Sequence, residues 1–395
     1  MTPSARVQAA IDILDAVIAA ARGQGASADR IAADWFRARR FVGSKDRRAI
    51  RDLAWQAIRA CGEVPVSGRA AMLRLARDDP QIASLFDGSH YGPAPVSPDE
   101  PVAHGGVASP WLVEQLAASG LDAADMTSLL ARAPLDLRAN RLRIAREALM
   151  AAMPVAATPT VAPDGLRLPA GTPVESWPQF ADGLFEVQDT GSQIACMALN
   201  VQPGERVVDL CAGAGGKTLA LGAAMANRGS LLACDIDRAR LSRLPDRAHR
   251  AGVLVESRLL DPGKEASALA DWAGRADAVM IDAPCSGTGT WRRNPEARWR
   301  TDAAAIHRYA TMQARVLDIG AALVRPGGRL TYVVCSLLDA EGANRIDAFL
   351  AANPGWAVQM PALPAGRAHG HGWRLVPGRD GTDGFFFATL VQHGN

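Results

Sequence analysis

The first part of the chain carries apolar residues at the spacing of amphipathic helices. In residues 5–63, apolar side chains recur every three or four positions, as in Val7, Ile11, Leu14 and Ile18. Such spacing places them on one face of a helix, and a second series follows after a basic stretch. The pattern predicts an all-α domain at this end of the chain.

The middle of the chain changes pattern. Residues 79–109 are rich in Pro, Gly, Ser, Asp and His and show weak periodicity, which is typical of a linker. Two short helices are predicted after Pro110, followed by an extended segment at 135–143 and a helix at Ile144–Met153. Short β segments with Pro and Gly turns continue to about Phe185. We therefore expect a small α+β unit here.

Strand and helix patterns alternate from Phe185 to Val391. Alternation of this kind predicts an α/β domain built on a mostly parallel sheet. The predicted strands are 206–210, 230–235, 254–259, 277–283, 328–335 and 385–391.

Composition narrows the class of protein. The 395 residues are enough for two or three domains, and no apolar run reaches the ~18 residues of a membrane span. Arg6 and Asp12 interrupt any apolar core of a secretory signal. The six cysteines show no C-x-x-C spacing, so we expect a cytoplasmic protein with free thiols, no metal site and no membrane partner. With a formal net charge of only +2, affinity for nucleic acid must come from local patches.

Two arginine-rich stretches are candidate patches. Seven cations lie between Arg37 and Arg51, against one carboxylate, Asp46. Four arginines and two tryptophans lie between Thr290 and Arg300. Arginine binds phosphates and tryptophan stacks on unpaired bases, although a solvated helix face and a packed surface loop are the alternatives. Three further polar residues could line a groove in the small unit: Arg138, Asn140 and Arg141.

A glycine-rich turn follows the strand at 206–210. A nucleotide P-loop would need glycine at Cys211, and a dinucleotide fingerprint would need glycine at Thr218. The pattern that remains is D-x-x-x-G-x-G, from Asp209 through Gly213 to Gly215, which is typical of S-adenosyl-L-methionine binding in Rossmann-like methyltransferases. Asp209 at the strand end could meet a cationic or hydroxylic ligand.

Two further carboxylates follow strand ends, where ligands of such sheets bind. Asp235 lies 20 residues past Gly215, the place from which a carboxylate accepts hydrogen bonds from ribose hydroxyls. A helix N-cap is the alternative role for Asp235. Asp261 could accept a hydrogen bond from an adenine amino group, or cap a turn.

A carboxylate and a thiol leave the strand at 277–283 together, as Asp282 and Cys285, and Cys335 ends the strand at 328–335. Methylation of carbon 5 of cytosine needs these two functions. A thiolate must add to carbon 6 of the ring, and an acid near ring nitrogen 3 stabilises the enamine that results. Two thiols at one sheet edge therefore indicate such a site, although spacing alone does not rank them.

Four motifs resemble, in order and spacing, the Sun/Nop family of RNA cytosine-5 methyltransferases. They are DLCAGAGGKT, ACDIDRARL, DAPCSGTG, and YVVCS followed by EGAN. The chain is most similar to the bacterial small-subunit ribosomal RNA methyltransferase B (Fmu-like) branch of that family. FEVQDTGSQIA resembles the entry to the catalytic domain, residues 5–63 resemble a NusB-type RNA-binding domain, and PWL with LRANRLR resembles an RNA-contacting unit. Three domains are implied: 1–105 including the linker, 106–184, and 185–395.

The resemblance implies a role for each matching residue. Cys335 is the implied nucleophile, Cys285 assists release of the methylated RNA, and Asp282 lies beside the methyl group and the target ring. Asp235 is implied at the ribose and Asp261 at the adenine. The remaining implied cofactor contacts are Cys211, Ala212, Gly213, Ala214, Gly215, Gly216, Lys217 and Arg240.

Two positions depart from the family pattern. Ala214 stands where the family usually has proline, and Val334 where many members have threonine, but neither change removes a reacting group. We expect a monomeric enzyme that modifies small-subunit ribosomal RNA. The alternatives are a transfer RNA methyltransferase of the same family and an RNA-binding or ribosome-assembly protein with a vestigial methyltransferase domain.

Overall fold

The computed structural model describes residues 1–23 and 25–394. These residues form two compact units, each containing two segments of the chain. No helix within the described residues is long and apolar enough to cross a membrane. The helical unit contains Met1–Ala131 and Thr290–Ala305, and the α/β unit contains Arg132–Gly289 and 306–394.

The helical unit confirms the predicted all-α region. Thr2 caps its first helix, because Thr2 Oγ1 accepts a hydrogen bond from Ala5 N at 3.2 Å. Ile13, Leu14 and Ile58 are among the fully buried apolar residues of its core. The helices are α1 Pro3–Arg22, α2 Ala28–Ala38, α3 Ser44–Ala60, α4 Gly68–Asp78, α5 Pro80–Ala83, α6 Pro110–Ala118 and α7 Ala123–Ser128.

The Thr290–Ala305 segment packs into the helical unit, and the prediction that Trp291, Trp299 and Arg298 bind RNA is wrong. Trp291 is fully buried, and Trp299 belongs to the helical core. Arg298 is also buried, and its Nη2 donates to the carbonyl oxygens of Ile58 at 2.7 Å and Cys61 at 2.6 Å. Arg298 therefore holds the end of α3, and none of these three side chains is available to phosphates or bases.

The same segment also binds the chain that precedes α2. Arg300 donates to the carbonyl oxygens of Gly25 at 2.7 Å and Ala26 at 2.6 Å. Glu296 Oε1 accepts a hydrogen bond from Ala28 N at 3.0 Å, at the first residue of α2. Free N–H groups at a helix start need such an acceptor, so Glu296 stabilises α2.

A small antiparallel sheet opens the α/β unit and agrees with the predicted β segments. Leu137, Leu166 and Phe185 are fully buried between the sheet and its flanking helices. Helix α8 Arg146–Ala151 is shorter than the predicted helix at Ile144–Met153, and α9 is Pro178–Ala181. The strands are β1 Leu135–Ala139, β2 Thr158–Pro159, β3 Gly165–Leu168 and β4 Phe185–Val187, in the order β2-β3-β1-β4.

The large sheet has nine strands in the order β11-β12-β13-β9-β8-β5-β6-β7, with β10 paired to β13. Strands β5 to β9 are parallel. They are β5 Arg206–Leu210, β6 Ser230–Asp235, β7 Glu256–Leu259, β8 Ala276–Asp282 and β9 Val324–Val334. The helices are α10 Thr190–Leu199, α11 Gly216–Ala224, α12 Arg238–Leu241, α13 Leu244–Ala251, α14 Glu265–Ala268, α15 Ala303–Leu323, α16 Ala343–Ala352 and α17 Pro377–Asp380.

The other half of the sheet is antiparallel, which corrects the prediction of a mostly parallel sheet. Its strands are β10 Trp356–Gln359, β11 Arg367–His369, β12 Gly372–Leu375 and β13 Phe385–Gln392. β11 and β12 are joined by a two-residue turn, in which Gly370 has a φ of 52°. Antiparallel strands can be joined so tightly, whereas parallel strands need a long crossover.

The order of the strands in the large sheet brings the candidate site residues together. β5 lies between β6 on one side and β8 on the other, so the strand order reverses at its carboxyl end. In open α/β sheets the crevice at this reversal is where ligands bind. The carboxyl ends of β5, β6, β8 and β9 therefore place the glycine turn, Asp235, Asp282 and Cys335 at one edge.

Candidate active site

The glycine turn between β5 and α11 needs backbone conformations that glycine tolerates. Gly213 and Gly215 have φ angles of 57° and 85°, and Cys211 also has a positive φ of 76°. Helix α11 begins at Gly216, and a Cβ added at Gly216 would meet no atom within 4 Å. A ligand can therefore approach the backbone at the start of α11, where free N–H groups favour polar partners.

The side chain of Asp209 lies inside the sheet and is not exposed to a ligand, which corrects one prediction. Its side chain is fully buried, and Asp209 Oδ2 accepts a hydrogen bond from Thr218 Oγ1 at 2.5 Å. Burial raises the pKa of Asp209 to about 7, against the opposing effect of the Thr218 hydrogen bond. Asp209 thus stabilises the packing of α11 against β5 from inside the sheet.

Asp235 is the carboxylate that shapes the turn. It is buried at the end of β6, its Oδ2 accepts from Gly213 N at 2.6 Å, and its Oδ1 accepts from Asp237 N at 2.7 Å. The N-cap of α12 is Asp237, not Asp235. Asp235 therefore holds the glycine turn to β6, and the predicted contact with a ribose stays a prediction.

Arg240 and Asp261 border the same edge. A Cβ at Gly213 would lie 2.5 Å from Nη2 of Arg240, so the arginine lies directly against the turn. Asp261 is exposed just after β7, two residues beyond the end of the strand. Asp261 thus lies on the loop after β7, and Arg240 lies in α12, the short helix that follows β6.

Lys217 and Asp282 form a buried ion pair. Lys217 Nζ lies 2.7 Å from Asp282 Oδ2, and the lysine side chain is 9% exposed, against 33% for the aspartate. Burial has the largest single effect and alone would lower the pKa of Lys217, but the charge of Asp282, its hydrogen bond and further nearby groups together outweigh burial and raise the pKa to about 12. The lysine stays charged and holds Asp282 in place, a pairing that the sequence did not predict.

The two candidate thiols are in contact. Cys285 Sγ and Cys335 Sγ lie 3.4 Å apart, and both side chains are half-buried. The hydrogen bond to Cys335 and burial raise the pKa of Cys285 well above the usual range of a thiol. Cys285 therefore keeps its proton at neutral pH and can donate it to the sulfur of Cys335.

Glu341 holds both thiol-bearing loops, and sequence reasoning missed it. Its carboxylate is fully buried and accepts from Ser286 N at 2.8 Å and from Ser336 Oγ at 2.6 Å. Ser286 Oγ also donates to it. Because Ser286 follows Cys285 and Ser336 follows Cys335, one carboxylate fixes the backbone beside both sulfurs. We name Glu341, Ser286 and Ser336 the serine clamp.

Two more side chains support the serine clamp. Gln313 Nε2 on α15 donates to Glu341 Oε1 at 3.1 Å and to Pro284 O at 2.9 Å. Tyr332 Oη donates to the carbonyl oxygen of Glu341 at 2.6 Å. The EGAN motif contains Glu341, which was the only signal in the sequence, whereas nothing local marks Gln313.

Three of the other four cysteines, Cys61, Cys196 and Cys234, lie in the protein interior. Burial raises the pKa of Cys61 to about 11 and those of Cys196 and Cys234 to about 12. Thiols held in the neutral form are poor nucleophiles. The reactive chemistry of the site is therefore concentrated on Cys285 and Cys335.

The three predicted groove residues of the small unit have different surroundings. Asn140 is buried, and its Nδ2 donates to the carbonyl oxygens of Gly183 at 2.8 Å and Ala251 at 2.7 Å, so it has a structural role. Arg138 and Arg141 line a cavity of about 620 Å³.

Known proteins share the sequence of this region. Residues 196–391 match the sequence model of a family described as 16S rRNA methyltransferase RsmB/F. Ribosomal RNA small subunit methyltransferase B of Klebsiella pneumoniae subsp. pneumoniae is 36% identical over 270 residues, which are 67% of this chain and 61% of that protein. The chain thus spans about three fifths of the length of the curated relatives it matches.

Solved structures share the fold. PH0851 is 23% identical, with a TM-score of 0.75 over 99% of both chains. A methyltransferase homolog protein from Pyrococcus horikoshii is 26% identical, with a TM-score of 0.60 over 72% of this chain and 99% of that chain. The predicted Rossmann-like methyltransferase fold of the α/β unit is therefore confirmed.

Proposed function

Because this chain belongs to the RsmB/F family of methyltransferases, we propose that it methylates carbon 5 of a cytosine in small-subunit ribosomal RNA. The observation that carries the proposal is the contact between Cys285 and Cys335 at the sheet edge that also holds the Lys217–Asp282 ion pair. A thiol to attack the ring and a fixed carboxylate are the groups that this chemistry requires, and the second thiol beside the first can assist release.

S-adenosyl-L-methionine is the cofactor, as predicted, since the family is one of methyltransferases. The residues present fit it: the backbone at Gly216 is open to a ligand, and Asp235 and Asp261 follow neighbouring strands at the same edge. We expect Cys211–Lys217 to contact its methionine part, Asp235 its ribose and Asp261 its adenine. When bound, it supplies the methyl group that carbon 5 receives.

In this mechanism Cys335 Sγ adds to carbon 6 of the cytosine. The ring then carries more electron density at nitrogen 3 and carbon 5. Asp282 stabilises nitrogen 3 as an acid, through a hydrogen bond whose proton the neighbouring Lys217 ammonium can supply. The ion pair with Lys217 fixes the orientation of Asp282 and places the positive charge of the lysine nearby. Preorganised charge of this kind lowers the energy of the transition state without rearrangement.

Cys285 acts after the methyl group has arrived. Water takes the proton from carbon 5, the electrons of that C–H bond form the double bond between carbons 5 and 6, and the bond between Cys335 Sγ and carbon 6 breaks. Cys285 is in contact with the departing sulfur, and its raised pKa keeps it protonated. It can therefore protonate the sulfur of Cys335 as that sulfur leaves, which releases the methylated RNA.

The helical unit is proposed to bind the RNA as a NusB-like domain. Three cations are exposed here: Arg40, in the turn between α2 and α3, and Lys45 and Arg48, in the first turns of α3. Within the described part of the chain, none of them forms an ion pair. Unpaired surface cations of this kind contact phosphates. Arg37 and Arg51 differ, since they pair with Asp34 and Asp29.

Bisulfite sequencing of ribosomal and transfer RNA from a strain that lacks the protein tests the proposal. The expected result is the loss of one or more 5-methylcytosines from 16S ribosomal RNA, and their return when the wild-type chain is supplied. Loss from transfer RNA alone would show that the substrate is transfer RNA and not ribosomal RNA. No loss from either RNA would favour the vestigial alternative, although the complete set of reacting groups argues against it.

A further inference from the structure

The cavity lined by Arg138 and Arg141 lies away from the candidate active site. Neither the two thiols nor the residues of the Lys217–Asp282 ion pair line it. It has a volume of about 620 Å³ and is bounded by α10, the later turns of α11, the small sheet and the loop at 359–363. Ligand sites for small molecules have volumes of roughly 300–1,000 Å³. The cavity is therefore large enough for a nucleotide.

Arg138 lies at the wall of this cavity and is only 5% exposed. Its Nε donates to Gln188 Oε1 at 2.7 Å, which is a neutral acceptor. Among residues 1–23 and 25–394, no carboxylate forms an ion pair with it. A buried guanidinium is almost always paired with an anion, because removing an isolated charge from water is costly.

The neighbouring carboxylates are engaged by other arginines. Glu186, opposite Arg138 in the small sheet, pairs with Arg247 at 2.7 Å and Arg250 at 2.5 Å. Asp164 pairs with Arg141 at 2.8 Å. The charged residues that line the cavity are Arg138, Arg141 and Asp164, so its wall has an excess of one positive charge.

The rest of the lining suits the other parts of a nucleotide. Gln193 Oε1 is buried without a hydrogen-bond partner, and Gln193 lines the cavity. It could accept from an amino or hydroxyl group of a ligand. Met197, Met360 and Leu363 provide an apolar surface, and Met360 is 47% exposed. A base can pack on such a surface while its phosphate lies on arginine.

We propose that this cavity binds a nucleotide, with its phosphate on Arg138 and Arg141 and its base against Met197 and Leu363. The nucleotide is either free or part of an RNA strand, and in the second case the inference rests on the proposed function. The phosphate supplies the counter-charge that Arg138 lacks. The cavity is separate from the cofactor site, so both can be occupied together.

Calorimetry on the full chain tests the site, with cytidine 5′-monophosphate, inorganic phosphate and a short single-stranded RNA as probes. Arg141→Gln is the main variant, since Arg141 is 47% exposed and its loss should not disturb folding. Arg138→Gln is the second variant. Arg275→Gln, an exposed arginine of the same unit that does not line the cavity, is the matched control.

We expect each cavity variant to weaken nucleotide binding at least tenfold, with the control and the affinity for S-adenosyl-L-methionine unchanged. If the monophosphate binds and RNA binding is unaffected by the variants, the source is a free nucleotide. If RNA binding falls and the monophosphate competes with it, the source is the RNA strand. Unchanged binding of all three probes in both variants would overturn the proposal.

This outcome is separable from the proposed function. If the wild-type chain methylates RNA but neither variant loses nucleotide or RNA binding, the proposed function stands and the inferred site is refuted. If the chain binds the monophosphate through Arg138 and Arg141 but methylates no RNA, the inferred site stands and the proposed function is refuted.

Discussion

Replacement of Glu341 by glutamine tests whether the serine clamp positions the two thiols. The carboxylate accepts four hydrogen bonds, from Ser286 N, Ser286 Oγ, Ser336 Oγ and Gln313 Nε2. An amide of the same shape keeps one accepting oxygen, but its nitrogen donates and it carries no charge. The hydroxyls of Ser286 and Ser336 can rotate to accept from that nitrogen, so the change mainly removes charge.

The size of the effect follows from these bonds. A hydrogen bond to a charged group contributes about 1.5–3 kcal/mol and a neutral one about 0.5–1.5 kcal/mol, so each conversion costs about 1 kcal/mol. Four conversions cost on the order of 4 kcal/mol, shared between the free energy of unfolding and the placement of the sulfurs. If about a third of this falls on the transition state, kcat decreases roughly tenfold.

The assay compares Glu341→Gln with Glu265→Gln, a matched control. Glu265 is a buried carboxylate of the same unit that pairs with Arg315 at 2.6 Å and does not touch the thiol loops. We expect the Glu341 variant to lower kcat for RNA methylation with little change in KM or in the affinity for S-adenosyl-L-methionine. The control should lose stability without losing kcat. A Glu341 variant that is less stable yet has the wild-type kcat would refute a positioning role.

Three further predictions concern the cofactor, the RNA and pH. Asp235→Ala should weaken binding of S-adenosyl-L-methionine by about 1.5–3 kcal/mol, and an unchanged calorimetric Kd would exclude the assigned contact. Alanine at Arg40, Lys45 and Arg48 together should weaken RNA binding and reduce the slope of log K against log salt by about 2, whereas an unchanged slope would identify a solvated face. The pKa of Asp209 is raised from 3.8 to about 7 in the folded state, so the folded state holds its proton more tightly and this group lowers stability as pH rises from about 4 to 7. Asp209→Asn should remove that loss, up to roughly 4 kcal/mol at about 1.4 kcal/mol per pKa unit, and equal pH dependence of urea unfolding in both proteins would contradict it.

The parallel half of the large sheet could be predicted because each strand is specified by its own residues. β5 and β6 are observed at the predicted bounds, 206–210 and 230–235. Each is a short apolar run that ends at a polar or glycine-rich turn. The carboxyl ends of parallel strands share one edge, so the position of the cofactor turn and both thiols followed from the strand pattern alone.

The antiparallel half could not be predicted in the same way. The direction of β13 depends on its pairing with β9, and its sequence FFFATLVQ is compatible with either direction. A buried strand is apolar on both faces, so periodicity does not report its partner. Only the short turn between β11 and β12 contained local evidence for an antiparallel pair.

Burial by remote segments explains the remaining errors. Trp299 and Arg298 have the residue types of an RNA-binding loop, but they pack with helices more than two hundred positions earlier in the chain. The serine clamp and its supporting residue show the same effect. Glu341 binds Ser286 and Gln313, and these three residues lie far apart in sequence. No local pattern shows which of these side chains will be brought together.

The most direct test of the proposed mechanism compares the two cysteines on a denaturing gel after incubation with RNA and S-adenosyl-L-methionine. Cys335→Ala should abolish methylation and form no covalent protein–RNA complex. Cys285→Ala should attack the ring but fail to release it, and should accumulate a complex that the double variant loses. Accumulation in Cys335→Ala but not in Cys285→Ala would reverse the two roles. An active Cys335→Ala, with no complex in any variant, would contradict the covalent mechanism itself.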